Sequence, residues 1–264
     1  MKTLRMLVLL AVLLGMAACG GQGSPGGPAS ADPIIIINGT VVDGRGSEPI
    51  HDGIVAISGD RITFVGHAAD YSLPSGAQVI DARAGTILPG FIDSHVHDAA
   101  DPATRREFLV GGVTGVCDLG SPLGDIPQFD EAYLNQDPVA RGFRAGPIIT
   151  APGGLPGAVL HGGLNYEVAD PDEARAAVAD LHNRGADVIK VYLQRDSGGA
   201  AYPMLSEADL AAIVEEAHAR GLLVRAHVTY ISLLDMAVQA GVDVIEHVPI
   251  NTTQSESENT SESE

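Results

Sequence analysis

The sequence predicts an α/β fold: a parallel sheet with helices outside it, preceded by a small all-β unit. Three observations carry this. Residues 34 to about 88 are short β-type runs separated by turn residues. From Thr86 onward, strands alternate with helical segments, the pattern of a parallel sheet covered by helices. Ligand-type side chains then recur late in those strands, where (β/α) barrels place their functional residues.

In chain order, 34–38, 53–58, 61–65 and 78–80 read as strands, with Gly59-Asp60 as a hairpin turn between the second and third. A helix is expected over 102–110 behind Asp101 as N-cap, and others over 172–184 and 206–220, where apolar residues recur at roughly 3.6. Gly185 and Gly221 suit their C-caps, and Ser206-Glu207-Ala208-Asp209 can form a capping box with Asp in place of Glu.

The two ends differ from this body. Residues 1–19 carry Lys2 and Arg5, an apolar run and small residues before Cys19. That run is well short of the ~20 residues needed to span a bilayer, so the segment reads as a secretory signal. Met16-Ala17-Ala18-Cys19 resembles a bacterial lipobox, in which Cys19 is lipidated and becomes the new N-terminus. Residues 20–33 are a Gly/Pro/Ser spacer. The expectation is an exported protein, lipid-anchored on the periplasmic or extracellular face of a bacterial envelope. At the far end, 251–264 is a Ser/Glu-rich tail without an apolar side chain, expected to be disordered.

A net charge of −19, from 34 acids against 15 bases, argues against nucleic acid as a partner. With Cys19 committed to lipid, only Cys117 remains and no intramolecular disulfide can form, so the fold must rest on its core. Cys117, within a strand-like run, is expected to be a buried, inert thiol.

The chemistry is concentrated in Pro89-Gly90-Phe91-Ile92-Asp93-Ser94-His95-Val96-His97, an apolar strand ending in two histidines at i, i+2. Alternate side chains of a strand share a face, so His95 and His97 can grip one metal ion. A His-x-His alone is a weak sign. It gains weight from Lys190 in Asp187–Tyr192, His227 in Leu223–His227 and His247 in Asp243–His247, each late in an apolar strand. Burying the Lys190 ammonium among Val188, Ile189, Val191 and Tyr192 would lower its pKa. The neutral amine can add carbon dioxide to become a carbamate, whose two oxygens can bridge two metals; the other fate is a side chain snorkelling to water. His161, Tyr192 and Tyr230 are candidate substrate contacts, and Asp118 is either support for the metals or a structural acceptor. His51, His67, His182 and His218 are assigned no chemistry.

In order, the motif around His95 and His97, Ile189-Lys190-Val191-Tyr192, Arg225-Ala226-His227 and Ile245-Glu246-His247 resemble the amidohydrolase superfamily, in its imidazolonepropionase-like and Xaa-Pro dipeptidase-like branch. Gly112–Gly120 and the helix Leu205–Gly221 are similar to that branch too, and the resemblance runs from about 34 to 250. It implies a metal-dependent hydrolase of a small molecule's amide or cyclic C–N bond. His95 and His97 would hold one divalent ion, His227 and His247 a second, and carbamylated Lys190 would bridge them; zinc is the first choice.

One part of the family pattern is absent from this sequence. The catalytic Asp at the end of the family's eighth strand has no counterpart, because the sixth strand is followed by the Ser/Glu tail. The expected fold is therefore a partial (β/α)8 barrel over 89–250, with about six of eight strands. Residues 34–88 would form the N-terminal half of a β-sandwich subdomain. No catalytic residue is assigned, and turnover is expected to be weak or absent. A truncation near residue 250, a homo-oligomer of mutually completing barrels, and a non-catalytic metal-binding envelope lipoprotein all remain compatible with the sequence.

Overall fold

The computed structural model describes residues 32–160 and 162–249. Cys19, nearly all of the spacer, the 251–264 tail and His161 lie outside the described residues. The rest falls into two compact units, one ending at Pro89 and the other beginning at Gly90.

The first unit is one mixed sheet of β1 (Ile34–Val41), β2 (Ile50–Ser58), β3 (Arg61–His67), β4 (Gln78–Asp81) and β5 (Thr86–Ile87). Its order is β3-β2-β1-β4, with β5 also pairing β1. The Gly59-Asp60 turn closes the β2–β3 hairpin, and Gly59 takes a φ of +59° that Cβ-bearing residues disfavour. Ile35, Ile54 and Ala56 form the core, flanked by Phe64 and Tyr71 with ring centroids 4.8 Å apart. Residues 86–87 belong to this unit, because β5 pairs in parallel with the end of β1.

The second unit is α/β with parallel sheets. Its elements are β6 (Phe91–Val96), α1 (Pro102–Val110), β7 (Val113–Asp118), α2 (Ile126–Leu134), β8 (Arg141–Arg144), β9 (Ile148–Thr150), β10 (Asn165–Glu167) and α3 (Pro171–Arg184). There follow β11 (Val188–Leu193), the two-residue strands β12 (Asp196–Ser197) and β13 (Ala200–Ala201), α4 (Glu207–Ala219), β14 (Leu223–Val228), α5 (Ile231–Ala240) and β15 (Val244–Glu246). β6-β7-β8 form one parallel sheet and β10-β9-β11-β14-β15 another. β8 and β9 are separated only by residues 145–147, so the chain passes directly from one sheet into the other.

Strand alternation sorts the side chains. Ile189, Val191 and Leu193 of β11 and Val224, Ala226 and Val228 of β14 are all fully buried, in one core with Leu210, Ile213 and Leu181 of α4 and α3. Each such side chain contributes about 1.5–3 kcal/mol on burial. The intervening Lys190, Tyr192, Arg225 and His227 are left for the opposite face. The helices begin and end where local chemistry dictates. Asp170 caps α3 by accepting from the amides of Asp172 (3.0 Å) and Glu173 (2.9 Å), and Gly185 ends it at φ +97°. Ser206 and Asp209 form a reciprocal capping box at the start of α4.

Candidate functional site

The parallel register fixes which residues meet. Lys190 pairs with Arg225, Tyr192 with His227, and His227 in turn with Glu246. All five therefore project from one face of adjacent strands. The alternation ends after Glu246: His247 has φ +65°, a left-handed conformation rare for a residue with a side chain. Its ring lies 4.9 Å, centroid to centroid, from the rings of both His95 and His227. His95 and His97 stand 5.3 Å apart, edge to face. His97 follows the last residue of β6, and Asp98 after it also has a positive φ, +58°.

These groups surround a cavity of about 360 Å³, whose apolar wall is Ile148, Leu160 and Leu164. Its volume suits a small molecule. A larger concavity, about 750 Å³, lies at the start of β7 and β8, beside Thr114 and Arg141, and holds none of the histidines. Its Arg144 is already paired with Asp130 (2.6 Å) and Asp187 (3.3 Å), so the reactive groups belong to the smaller cavity.

Lys190 is 2% exposed, and its Nζ has no hydrogen-bond partner among the described residues. Burial, reinforced by the Arg225 charge and only partly offset by Glu246, lowers its pKa to about 8. Burial and the Lys190 charge likewise hold His227 neutral, with a pKa of about 3, and hold His95 below its ordinary value. Beneath His95 lies a buried ion pair, Arg225 Nε to Glu246 Oε1 at 2.5 Å. Burial alone would raise the Glu246 pKa, but the Arg225 hydrogen bond and the charges of Lys190, Arg225 and His95 together outweigh it and keep the carboxylate ionised. The second oxygen of Glu246 is 2.7 Å from His95 Nδ1.

His227 is held on two sides. Tyr192 stacks on its ring at 3.9 Å and 5°, and its Nε2 donates to Gln194 Oε1 at 2.9 Å. Tyr230 lies off the cavity, donating its hydroxyl to Asp196. Buried Asp118 accepts from the amides of Ala99 (2.8 Å) and Gly120 (3.0 Å), which fixes the backbone beyond β6 and β7. Cys117 is a buried free thiol, pushed up to about 11 chiefly by burial, and so stays protonated at neutral pH.

The structure thus brings together His95, His97, Lys190, Tyr192, His227 and His247, and places Tyr230 elsewhere. Sequence reasoning gave no role to Glu246, Arg225 or Gln194. The signal for the first two was present: Arg225 lies two residues before His227, and a charge inside a strand requires a partner. Among the described residues, no group of three His, Cys, Asp or Glu side chains stands ready as a metal cluster. The donor chemistry nevertheless fits a divalent ion, since imidazole nitrogens and an orphaned buried amine face one cavity without a thiolate.

No family model matches the chain. It is 46% identical over 111 residues to an N-acyl-D-aspartate deacylase of Alcaligenes xylosoxydans xylosoxydans, a match covering 38% of this chain and 21% of that protein. The crystal structure of an amidohydrolase superposes with a TM-score of 0.69 at 28% identity, over 81% of this chain and 60% of that one. A Xaa-Pro dipeptidase with bound methionine in its active site gives 0.68 at 26% identity, over 82% of this chain and 61% of that one. The chain spans less than half the length of the first curated relatives it matches, and about three-fifths of these solved structures. His95, His97, His227 and His247 lie at or just beyond the C-terminal ends of parallel strands, with Lys190 in the middle of β11, and the proteins this chain is similar to belong to the amidohydrolase superfamily.

Proposed function

We propose that this chain carries the metal-holding part of a hydrolase that cleaves an amide or cyclic C–N bond of a small molecule. The observation that carries this reading is Lys190, a buried amine without a hydrogen-bond partner among the described residues, facing a cavity rimmed by four histidines. A pKa of about 8 leaves roughly a tenth of the amine neutral at pH 7, enough to add carbon dioxide. His95 and His97 would hold one ion, His227 and His247 another, and carbamylated Lys190 would lie between them. Zinc suits these donors. Bound there, the metal would polarise the scissile carbonyl and activate water at neutral pH. The protein's own contribution is positional: Tyr192 and Gln194 hold His227, while Ile148, Leu160 and Leu164 line one side of the cavity with apolar surface.

Two relatives are named for acting on N-acyl-D-aspartate and on Xaa-Pro dipeptides, which makes N-acylated amino acids and dipeptides the first substrates to try. The finer architecture belongs to the same proposal. The strand order and the superpositions support reading the second unit as part of a (β/α)8 barrel and the first as part of a β-sandwich. The sequence alone supports export and lipidation at Cys19, which palmitate labelling of wild type but not of Cys19→Ala would establish. A homo-oligomer is supported by β6 and β15, each of which pairs on one side only among the described residues; a monomer by light scattering would exclude it.

The central test is metal content after equilibration with zinc, with and without bicarbonate. Wild type should take up zinc more strongly with bicarbonate, and Lys190→Met should lose that dependence. A wild type that takes up no zinc, manganese or cobalt under either condition would overturn the reading.

A further inference from the structure

Glu246 has both carboxylate oxygens engaged by groups of fixed geometry. Oε1 accepts from Arg225 Nε at 2.5 Å, and Oε2 lies 2.7 Å from His95 Nδ1. Both members of the ion pair are buried, Arg225 at 8% and Glu246 at 5% exposure, so neither samples water in place of its partner. A carboxylate only accepts, so His95 must donate its Nδ1 proton to it. That leaves Nε2 as the lone-pair nitrogen of the ring, on the side away from Glu246, and His95 lines the cavity.

The geometry points to Glu246 as a positioning residue that fixes the tautomer and orientation of His95, with Arg225 as the clamp that fixes Glu246. It would act through His95 on the metal and not on substrate, so it is not a catalytic residue. The strand register makes this arrangement available. Glu246 pairs with His227 and shares its face, whereas His247 reaches the same cavity only through its left-handed backbone. One dipeptide therefore supplies both a metal-type imidazole and the support for another. Elsewhere, partners that orient a metal-binding imidazole are worth about 10- to 100-fold in metal affinity.

The inference rests on the metal-dependent reading, and its test separates the two. The tautomer of His95 is read in the metal-free full chain by long-range ¹H–¹⁵N correlation, with the His95 signals assigned by their loss in His95→Asn. Wild type should show the Nδ1–H form. Glu246→Gln, whose amide oxygen can still accept, should largely keep it. Glu246→Ala alone strands Arg225 and can unfold the protein, so the decisive variant is Glu246→Leu combined with Arg225→Met, which removes both charges. Folded by circular dichroism, it should shift His95 towards the Nε2–H form and weaken zinc binding about 10- to 100-fold. If it keeps the Nδ1–H form and wild-type zinc affinity, the positioning role is overturned. A wild type that binds no zinc overturns the metal reading instead, and the tautomer shift still decides the role of Glu246.

Discussion

Lys190 shows how one residue can be costly to the fold and useful to the site. Its ammonium is buried without a hydrogen-bond partner among the described residues, an arrangement that burial penalises and packing does not repay. Replacing it by Met, which keeps the bulk and removes the polar group, should raise the thermal midpoint of the metal-free protein while abolishing bicarbonate-dependent metal uptake. An unchanged or lower midpoint would mean that the amine has a partner in solution. The sequence showed His227 and His247 at strand ends, because a residue's place in a strand follows from local pattern; Lys190, also expected late in its strand, sits in the middle of β11, which runs on to Leu193. The sequence did not show that Arg225 and Glu246 form the pair beneath them, since that depends on strands brought side by side.

At the scale of elements, caps were the most legible features, because a cap is chemistry within four residues. The box between Ser206 and Asp209 stands as expected, with the Asp209 amide donating to Ser206 Oγ at 3.2 Å and the Ser206 amide donating to Asp209 at 3.0 Å. Ser206→Ala should lower stability by about 1 kcal/mol in urea unfolding. α2 and α5 were not anticipated: α2 carries Pro127 in its first turn, and α5 has no side-chain cap on Tyr230. A longer-range tie joins α4 to β14, where Asp243 accepts from the Val224 amide (2.7 Å) and from His218 (2.9 Å). Burial would raise the Asp243 pKa, but these hydrogen bonds outweigh it and hold the carboxyl below its usual range. The stabilisation is then fully present above the ordinary carboxylate value of about 4 and is lost as pH falls through the depressed one. Thermal midpoints measured across acid pH should show wild type above Asp243→Asn at neutral pH, with the gap closing below about pH 4. A gap that is constant with pH would refute this.

At the scale of the molecule, Gly146 decides how the two sheets of the second unit connect. It lies between β8 and β9 at φ +72°, and a Cβ there would come within 2.8 Å of Ile126 Cδ1. Gly146→Ala should therefore combine left-handed strain with overpacking, a loss of about 2 kcal/mol or more in chemical denaturation. A neutral substitution would show that the bend can relax. The sequence contains Ala145-Gly146-Pro147 but gives no hint that a strand bends there, since a glycine before a proline reads equally as a turn.

The sequence by itself determined the class of fold, the helix caps, the likeness to the amidohydrolase superfamily and the positions of the five ligand-type residues in the chain, because each is written in local spacing: alternation along a strand, periodicity along a helix, a motif of a few residues. Only the tertiary structure decided that these residues face a single cavity and that Lys190 has no hydrogen-bond partner among the described residues there. It also decided that Tyr230 turns to Asp196 and that Glu246 and Arg225 lie beneath His95. Those facts depend on the register between strands and on the left-handed turn at His247. Long-range pairing fixes the register, and no local run of sequence encodes it.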